Sequence, residues 1–204
     1  MQKFGLVIIG AHNASGLEQL INGQNQKVLL IEPVHYNFSS LKQKFSENEN
    51  IFLEKAGVSD DRLKKNFYFV KQDSIAKLGK EWASGIGSFK KQHLLDHHRK
   101  RFKITEQDID VEEIQIKTFS DICEKYSICE IDYLFIDTEG YDYKIINSIN
   151  FSDIQINKIK FEYKHLDGTF VYEKNLPKIK KMFANLDFVE TEFDNENITF
   201  ERRK

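Results

Sequence analysis

Cysteine is scarce in this 204-residue chain: Cys123 and Cys129 are too few for a disulfide framework or for a cysteine-built zinc site. Both are expected to be reduced, structural thiols, in keeping with a cytoplasmic protein. Long hydrophobic runs are missing as well. Leu6-Val7-Ile8-Ile9 is broken at Gly10-Ala11-His12-Asn13 before a secretory or membrane-spanning segment could form, so no membrane partner is expected. Neither sign of charge prevails: 30 Lys+Arg against 32 Asp+Glu leave a net charge of -2, with no global pull toward nucleic acid or an anionic membrane. Internal repeats and low-complexity tracts are absent too. What remains, 40% hydrophobic and 30% charged, is the composition of one globular domain spanning 1–204.

Order along the chain points to an α/β architecture. Leu6 to Ile9 and Lys27 to Ile31 are continuous apolar runs, the pattern of strands buried on both faces. Between and after them, Leu17, Leu20 and Ile21, then Phe38, Leu41 and Phe45, recur at helical spacing. Ile51 to Val58 reads as a third strand, so strands and helical crossovers alternate as in a parallel sheet. Phe67 to Val70 adds a strand or hairpin arm, and Val111 to Lys117 alternates like an edge strand. Phe119, Ile122, Cys123 and Tyr126 make one helical face before the next buried strand, Ile131 to Ile136. A helix from Asp142 to about Ile149, a strand from Lys158 to Tyr163 and a helix through Ile179, Met182, Phe183 and Leu186 follow. Phe188 to Phe193 and Ile198 to Glu201, joined by Asp194-Asn195-Glu196-Asn197, predict a closing antiparallel hairpin.

The loop after the first strand, Gly10-Ala11-His12-Asn13-Ala14-Ser15-Gly16, opens where such sheets bind ligands. Glu32, at the end of the second strand, stands about 20 positions on, where an acid accepts both hydroxyls of an adenosine ribose. That suits S-adenosylmethionine (SAM) or NAD. The dinucleotide fingerprint asks for glycine at positions held here by Gly10, His12 and Ser15, so two of three fail.

Ile131-Asp132-Tyr133-Leu134-Phe135-Ile136 runs into Asp137-Thr138-Glu139-Gly140-Tyr141-Asp142, an apolar strand followed by Asp-x-Glu-Gly and a helix. In this block the chain resembles the FkbM family of SAM-dependent O-methyltransferases. Glu32-Pro33 with Asn37-Phe38 and Leu41, Ala56-Gly57-Val58-Ser59-Asp60, and Phe161-Glu162-Tyr163 are similar to further family segments, and the resemblance runs over about 5–201. Where the family has an Asp two residues before the first glycine this chain has Ile8, and Ala14 replaces a second glycine. The resemblance implies a Rossmann-like class I methyltransferase sheet, mostly parallel with a C-terminal antiparallel hairpin. It also implies a SAM site at Gly10, Ala11, His12, Asn13, Gly16, Glu32, Pro33, Gly57, Val58 and Asp137, and methylation of a hydroxyl on a saccharide or other small molecule. Nucleic acid is not an expected partner. The rival readings are an NAD-dependent oxidoreductase and a SAM-fold binding module without catalysis.

Asp137, Glu139, Glu162 and His165 fall at or just past strand C-terminal ends, and Asp137, Glu162 and His165 are the predicted catalytic residues, with Asp137 nearest the transferred methyl and Glu162 or His165 as the acceptor-side base. A divalent ion held by those three is chemically reasonable, but none is expected. The stretch 79–108 interrupts the alternation. Its glycines, Trp82, Phe89, Lys90, Arg99 and Arg101 fit either a lid over the acceptor or a solvated basic helix. A metal site built from His93, His97 and His98 together is not expected, since adjacent helical residues face apart.

Overall fold

From Leu6 to Ile9 the first strand sends its side chains alternately to opposite sides of a sheet, after an irregularity between Phe4 and Leu6, and both sides are dry. Phe4, Val7 and Ile9 enter one core, Leu6 and Ile8 the other, and none is more than 1% exposed. Residues 1–100, 103–168, 171 and 174–203 are described by the computed structural model, with the backbone alone at 98–100. The expected basic residues Arg99 and Arg101 therefore lie outside the described side chains.

Strand β1 (Gln2–Ile9), helix α1 (Glu18–Asn22), β2 (Lys27–Ile31), α2 (His35–Phe45) and β3 (Ile51–Glu54) alternate as expected. There follow β4 (Gly57–Val58), β5 (Lys64–Val70), α3 (Gln72–Leu78), a 3-10 turn at Glu81–Gly85, β6 (Gly87–Ser88), α4 (Lys91–Lys100), a second 3-10 turn at Glu106–Asp108, and β7 (Ile109–Lys117). The alternation resumes with α5 (Phe119–Lys125), β8 (Ile128–Ile136), α6 (Asp142–Ser148), β9 (Gln155–Glu162), α7 (Leu176–Asn185), β10 (Phe188–Phe193) and β11 (Asn197–Arg202).

The main sheet has the order β10-β11-β9-β8-β1-β2-β3. Neighbours from β9 to β3 pair in parallel, whereas β11 runs antiparallel to both β9 and β10. The hairpin read from the sequence is present, and its second arm is the one inserted into the sheet. Helices α1 and α2 supply Ile21, Leu41 and Phe45 to one core, while α5, α6 and α7 supply Phe119, Ile122, Ile145, Ile146, Ile179 and Phe183 to the other. Burying each such side chain contributes about 1.5–3 kcal/mol, which holds the helices down where propensity alone would not. Helix α5 starts where it does because Thr118 accepts from the Asp121 amide at 3.1 Å and Asp121 accepts from the Thr118 amide at 2.9 Å, a reciprocal cap.

One expectation needs correction. Ile51 to Val58 is not one strand: β3 belongs to the main sheet and β4 to a second, four-stranded sheet of order β4-β7-β5-β6. The chain changes sheets at Gly57, where a Cβ would come within about 3.0 Å of Ile114, Ile116 and Phe89. The edge character read at 111–117 belongs to the second sheet, where β7 pairs with β5 along 109–115 and with β4 only at Ile116 and Lys117. That strand lies between β4 and β5, alternating because one face packs on Val34, Phe67 and Phe69 while the other meets water. No helix among the described residues is long and apolar enough to cross a membrane.

Candidate active site

Two strand ends and one carboxylate shape the floor of a cleft. The amide of Asp137, just past β8, donates to the carbonyl of Ile9 at 2.9 Å, and the amides of Gly10 and Ala11 both donate to the carbonyl of Ile31 at 3.0 Å. Glu32 turns back beneath this loop: one carboxylate oxygen accepts from the His12 amide at 2.9 Å, the other from the Val34 amide at 2.8 Å. Its burial pushes the carboxyl up to about 7, although those two amides and Asn37 pull the other way.

The cleft spans about 530 Å³ when the open space at its mouth is included. Gly10, His12, Glu32, Pro33, Gly57, Val58 and Asp137 line it. Ala11, Asn13 and Gly16 do not. Ala11 is buried in the core, and Asn13 turns its side-chain oxygen to the Ser15 amide at 2.9 Å. Ala14 sits at φ 61°, in the left-handed conformation natural to the glycine it replaces, and Ile8 is fully buried in the core instead of presenting an acid.

Part of the segment 79–108 forms a roof over the cleft. Gly85, Gly87 and Phe89 line the cleft, and Phe89 packs edge-on against Phe67 and Tyr141 with ring centroids 5.0 and 4.5 Å apart. Ala83, Ile86 and Leu94 beneath it are at most 1% exposed. Roof and floor are joined by His12, whose Nε2 meets Ser84 Oγ at 2.5 Å, and by Asn37, which donates to the Ser84 carbonyl at 2.8 Å. Burial, with Lys44 nearby, lowers the His12 pKa to about 4, so its imidazole is neutral here. Trp82 is not part of the lining and is 41% exposed. Sequence reasoning passed over Ser84 and Asn37 as parts of this join, and nothing in their local pattern singles them out.

At the far end, Asp137 and Glu139 face the cleft, whereas Glu162 and His165 stand behind it, 7% and 2% exposed. His165 Nδ1 lies 3.0 Å from Glu139 Oε2 and 3.0 Å from Glu162 Oε1. Burial would lower the His165 pKa, but the two carboxylates outweigh it and raise it to about 9. Burial likewise opposes ionisation of Glu139, yet hydrogen bonds from His165 and His93 hold it below the usual carboxylate range. Asp137 goes the other way: burial and the charges of Glu162, Glu139 and Asp142 lift it well above that range. His93 and His97, which sequence reasoning set aside together with His98, converge on the same place from α4. Their separation of four residues was the available signal.

A floor built from the β1 and β2 tips, with acids at the β8 tip, is where this kind of sheet holds a ligand. The family model of the methyltransferase FkbM domain matches residues 9–195. The chain belongs to the FkbM methyltransferase family. As an FkbM protein it is a SAM-dependent methyltransferase, on the Rossmann-like sheet described above. No curated protein matches the sequence. Among solved structures, the METTL16 methyltransferase domain is similar with a TM-score of 0.52 at 9% identity, over 100% of this FkbM chain and 61% of that one. A chain of the fibrillarin/Nop5p complex is similar with a TM-score of 0.50 at 11% identity, over 100% of this chain and 73% of the other. At such identities the likeness speaks for the fold alone.

Proposed function

We propose that this FkbM enzyme methylates a hydroxyl oxygen of a saccharide or other small molecule, with the SAM adenosine across the tips of β1 and β2 and the sulfonium toward Asp137. The observation that carries the reading is that one cleft holds Glu32, an acceptor for two vicinal ribose hydroxyls, and the β8 carboxylates Asp137 and Glu139. In the reaction the acceptor oxygen bonds to the methyl carbon as the carbon–sulfur bond breaks. The hydroxyl proton must then pass to a nearby base. Asp137 is assigned to the methyl end of the cleft and Glu139 to its acceptor side, with His165 and Glu162 acting there through the contact of His165 with Glu139. The aromatic rings of Phe89 and Tyr141 offer apolar faces for a sugar ring.

A dinucleotide gains no support from this geometry. Gly10 lacks a side chain because the Asp137 carbonyl lies 1.8 Å from where a Cβ would be, so this glycine serves strand closure and not the approach of a pyrophosphate. The test is incubation with methyl-labelled SAM and a panel of saccharides and hydroxylated small molecules, with the product's methylated atom located by NMR. Label on oxygen is expected. Label only on nitrogen, only on nucleic acid, or on no acceptor despite SAM binding would overturn the O-methyl reading.

Glu32 gives a further expectation. Ribose hydroxyls donate to the ionised carboxylate, and burial lifts this group to about 7. Protonation therefore competes with the ligand. SAM affinity should be steady above pH 8, roughly one unit past that value, and fall toward tenfold per pH unit below pH 6. Glu32→Gln should flatten the profile and weaken binding at pH 8 by about tenfold, the equivalent of one charge-assisted hydrogen bond. Calorimetry across pH 5.5–8.5 decides it, and an equal slope in wild type and variant would remove Glu32 from the ribose site.

A further inference from the structure

We propose that His93, His97, His165 and Glu139 bind one divalent first-row transition-metal ion, with Glu162 as a fifth donor. Helix α4 sets His93 and His97 four residues apart, on one face. The turn after β8 brings Glu139, and the chain beyond β9 brings His165. The three imidazole rings stand 5.2, 5.9 and 5.9 Å apart, centroid to centroid, inclined to one another by 78–80°. Glu139 Oε2 lies 3.6 Å from His93 Nε2 and 3.0 Å from His165 Nδ1. Donor atoms of His93, His97 and Glu139 fall within 4.8 Å of one another, and so do those of Glu139, Glu162 and His165. Bonds of about 2.0–2.1 Å around a tetrahedral ion put its donors roughly 3.4 Å apart, so small side-chain movements would close this set on a metal.

Burial and charge point the same way. His93, His97 and His165 are at most 3% exposed, although α4 is otherwise held down by apolar contacts such as Leu94. Polar rings gathered at such depth carry a desolvation cost that coordination would offset. Asp137, Glu139, Asp142 and Glu162 crowd the same end of the sheet, and Glu162 Oε2 and Asp142 Oδ1 are buried with no hydrogen bond among the described residues. A dication relieves that repulsion. Three nitrogens with carboxylate oxygen suit zinc, iron(II), cobalt(II) or manganese(II), whereas magnesium and calcium prefer oxygen alone. The set differs from the Asp137, Glu162 and His165 group considered from sequence: Asp137 belongs to neither cluster of converging donors.

The site stands on its own geometry, whatever the acceptor is. Its consequence for methyl transfer rests on the reading above: an ion here makes Glu139 and His165 ligands at the acceptor side of the cleft and leaves Asp137 uncoordinated at the methyl end. It would also pin α4, and with it the roof, to the strand tips.

The experiment uses the full chain, stripped with chelator and titrated separately with Zn²⁺, Mn²⁺, Fe²⁺ and Co²⁺. One equivalent should bind for at least one ion and raise the melting temperature by about 5 °C at saturating metal. Bound Co²⁺ should show visible bands of a nitrogen- and oxygen-ligated site, and His93→Ala and His97→Ala should each abolish them. SAM calorimetry on the same variants should stay within about threefold of wild type, so loss of the metal site and failure of the methyltransferase reading give separate results. The proposal is overturned if none of the four ions binds or shifts melting, or if the Co²⁺ spectrum survives His97→Ala. Should that variant not fold, the wild-type titration decides alone.

Discussion

Asp137→Ala is expected to lower kcat/KM for methyl transfer by about a thousandfold while the protein still folds. A preorganised charge at the reacting centre contributes about 10²–10³, and in the proposed geometry this carboxylate stands at the methyl end of the cleft, facing the cationic sulfonium of SAM. Its backbone, not its side chain, ties β8 to β1 through the 2.9 Å bond to Ile9, so the substitution leaves the floor standing. Removing one of four mutually repelling carboxylates also means that melting in metal-free buffer should not fall. Asp137→Asn, which keeps the shape and loses the charge, should be nearly as impaired as Asp137→Ala. Steady-state kinetics beside differential scanning calorimetry test this. Activity within threefold of wild type would remove Asp137 from the chemistry, and loss of activity together with folding would show that its role is structural.

Gly10→Ala should be the most damaging single methyl in the molecule. The new Cβ would lie 1.8 Å from the Asp137 carbonyl oxygen and 2.9 Å from its carbon, both backbone atoms, at a position whose φ of 85° disfavours alanine on its own. The conformation costs about 1–2 kcal/mol, and separating the two strand ends to relieve the clash brings the total to roughly 4 kcal/mol or more. For a chain of this length that is a fall of about 8–16 °C in melting temperature, with SAM binding lost because the cleft floor is the part displaced. Gly16→Ala is the control: its φ is 78°, but nothing lies within 4 Å, so only the conformational cost of about 1 kcal/mol should appear. Equal melting temperatures for the two variants would mean that the β1–β8 closure is looser than described.

Much of the main sheet was legible because periodicity is a local property. Val7, Ile9, Leu29 and Ile136 sit in unbroken apolar runs that few structures other than a doubly covered strand would bury. Which sheet a strand joins is not local. The run 51–58 shows no change of pattern at the point where β3 gives way to β4, and the side chains Gly57 lies against, Phe89, Ile114 and Ile116, stand roughly thirty to sixty positions on. The same distinction governs the site. Glu32 and Asp137 were readable from strand-end position and motif, and both line the cleft. Glu162 and His165 were read as strand-end residues near the reaction, and they are buried behind Glu139, outside the cleft lining. The histidine cluster was not legible: it requires α4 to fold back onto a loop some seventy residues later, and the adjacency of His97 and His98 drew attention from the pair that shares a face, His93 and His97.

The small sheet and its helices between Gly57 and Lys117 have apolar centres of their own, around Val70 and Leu94 on one side and Phe67 and Ile114 on the other, apart from the two cores that support the strand tips. Drift in that insert can therefore reshape what enters from above while the platform proposed for the nucleoside stays fixed, and two homologues could diverge in what they modify while spending the same methyl donor.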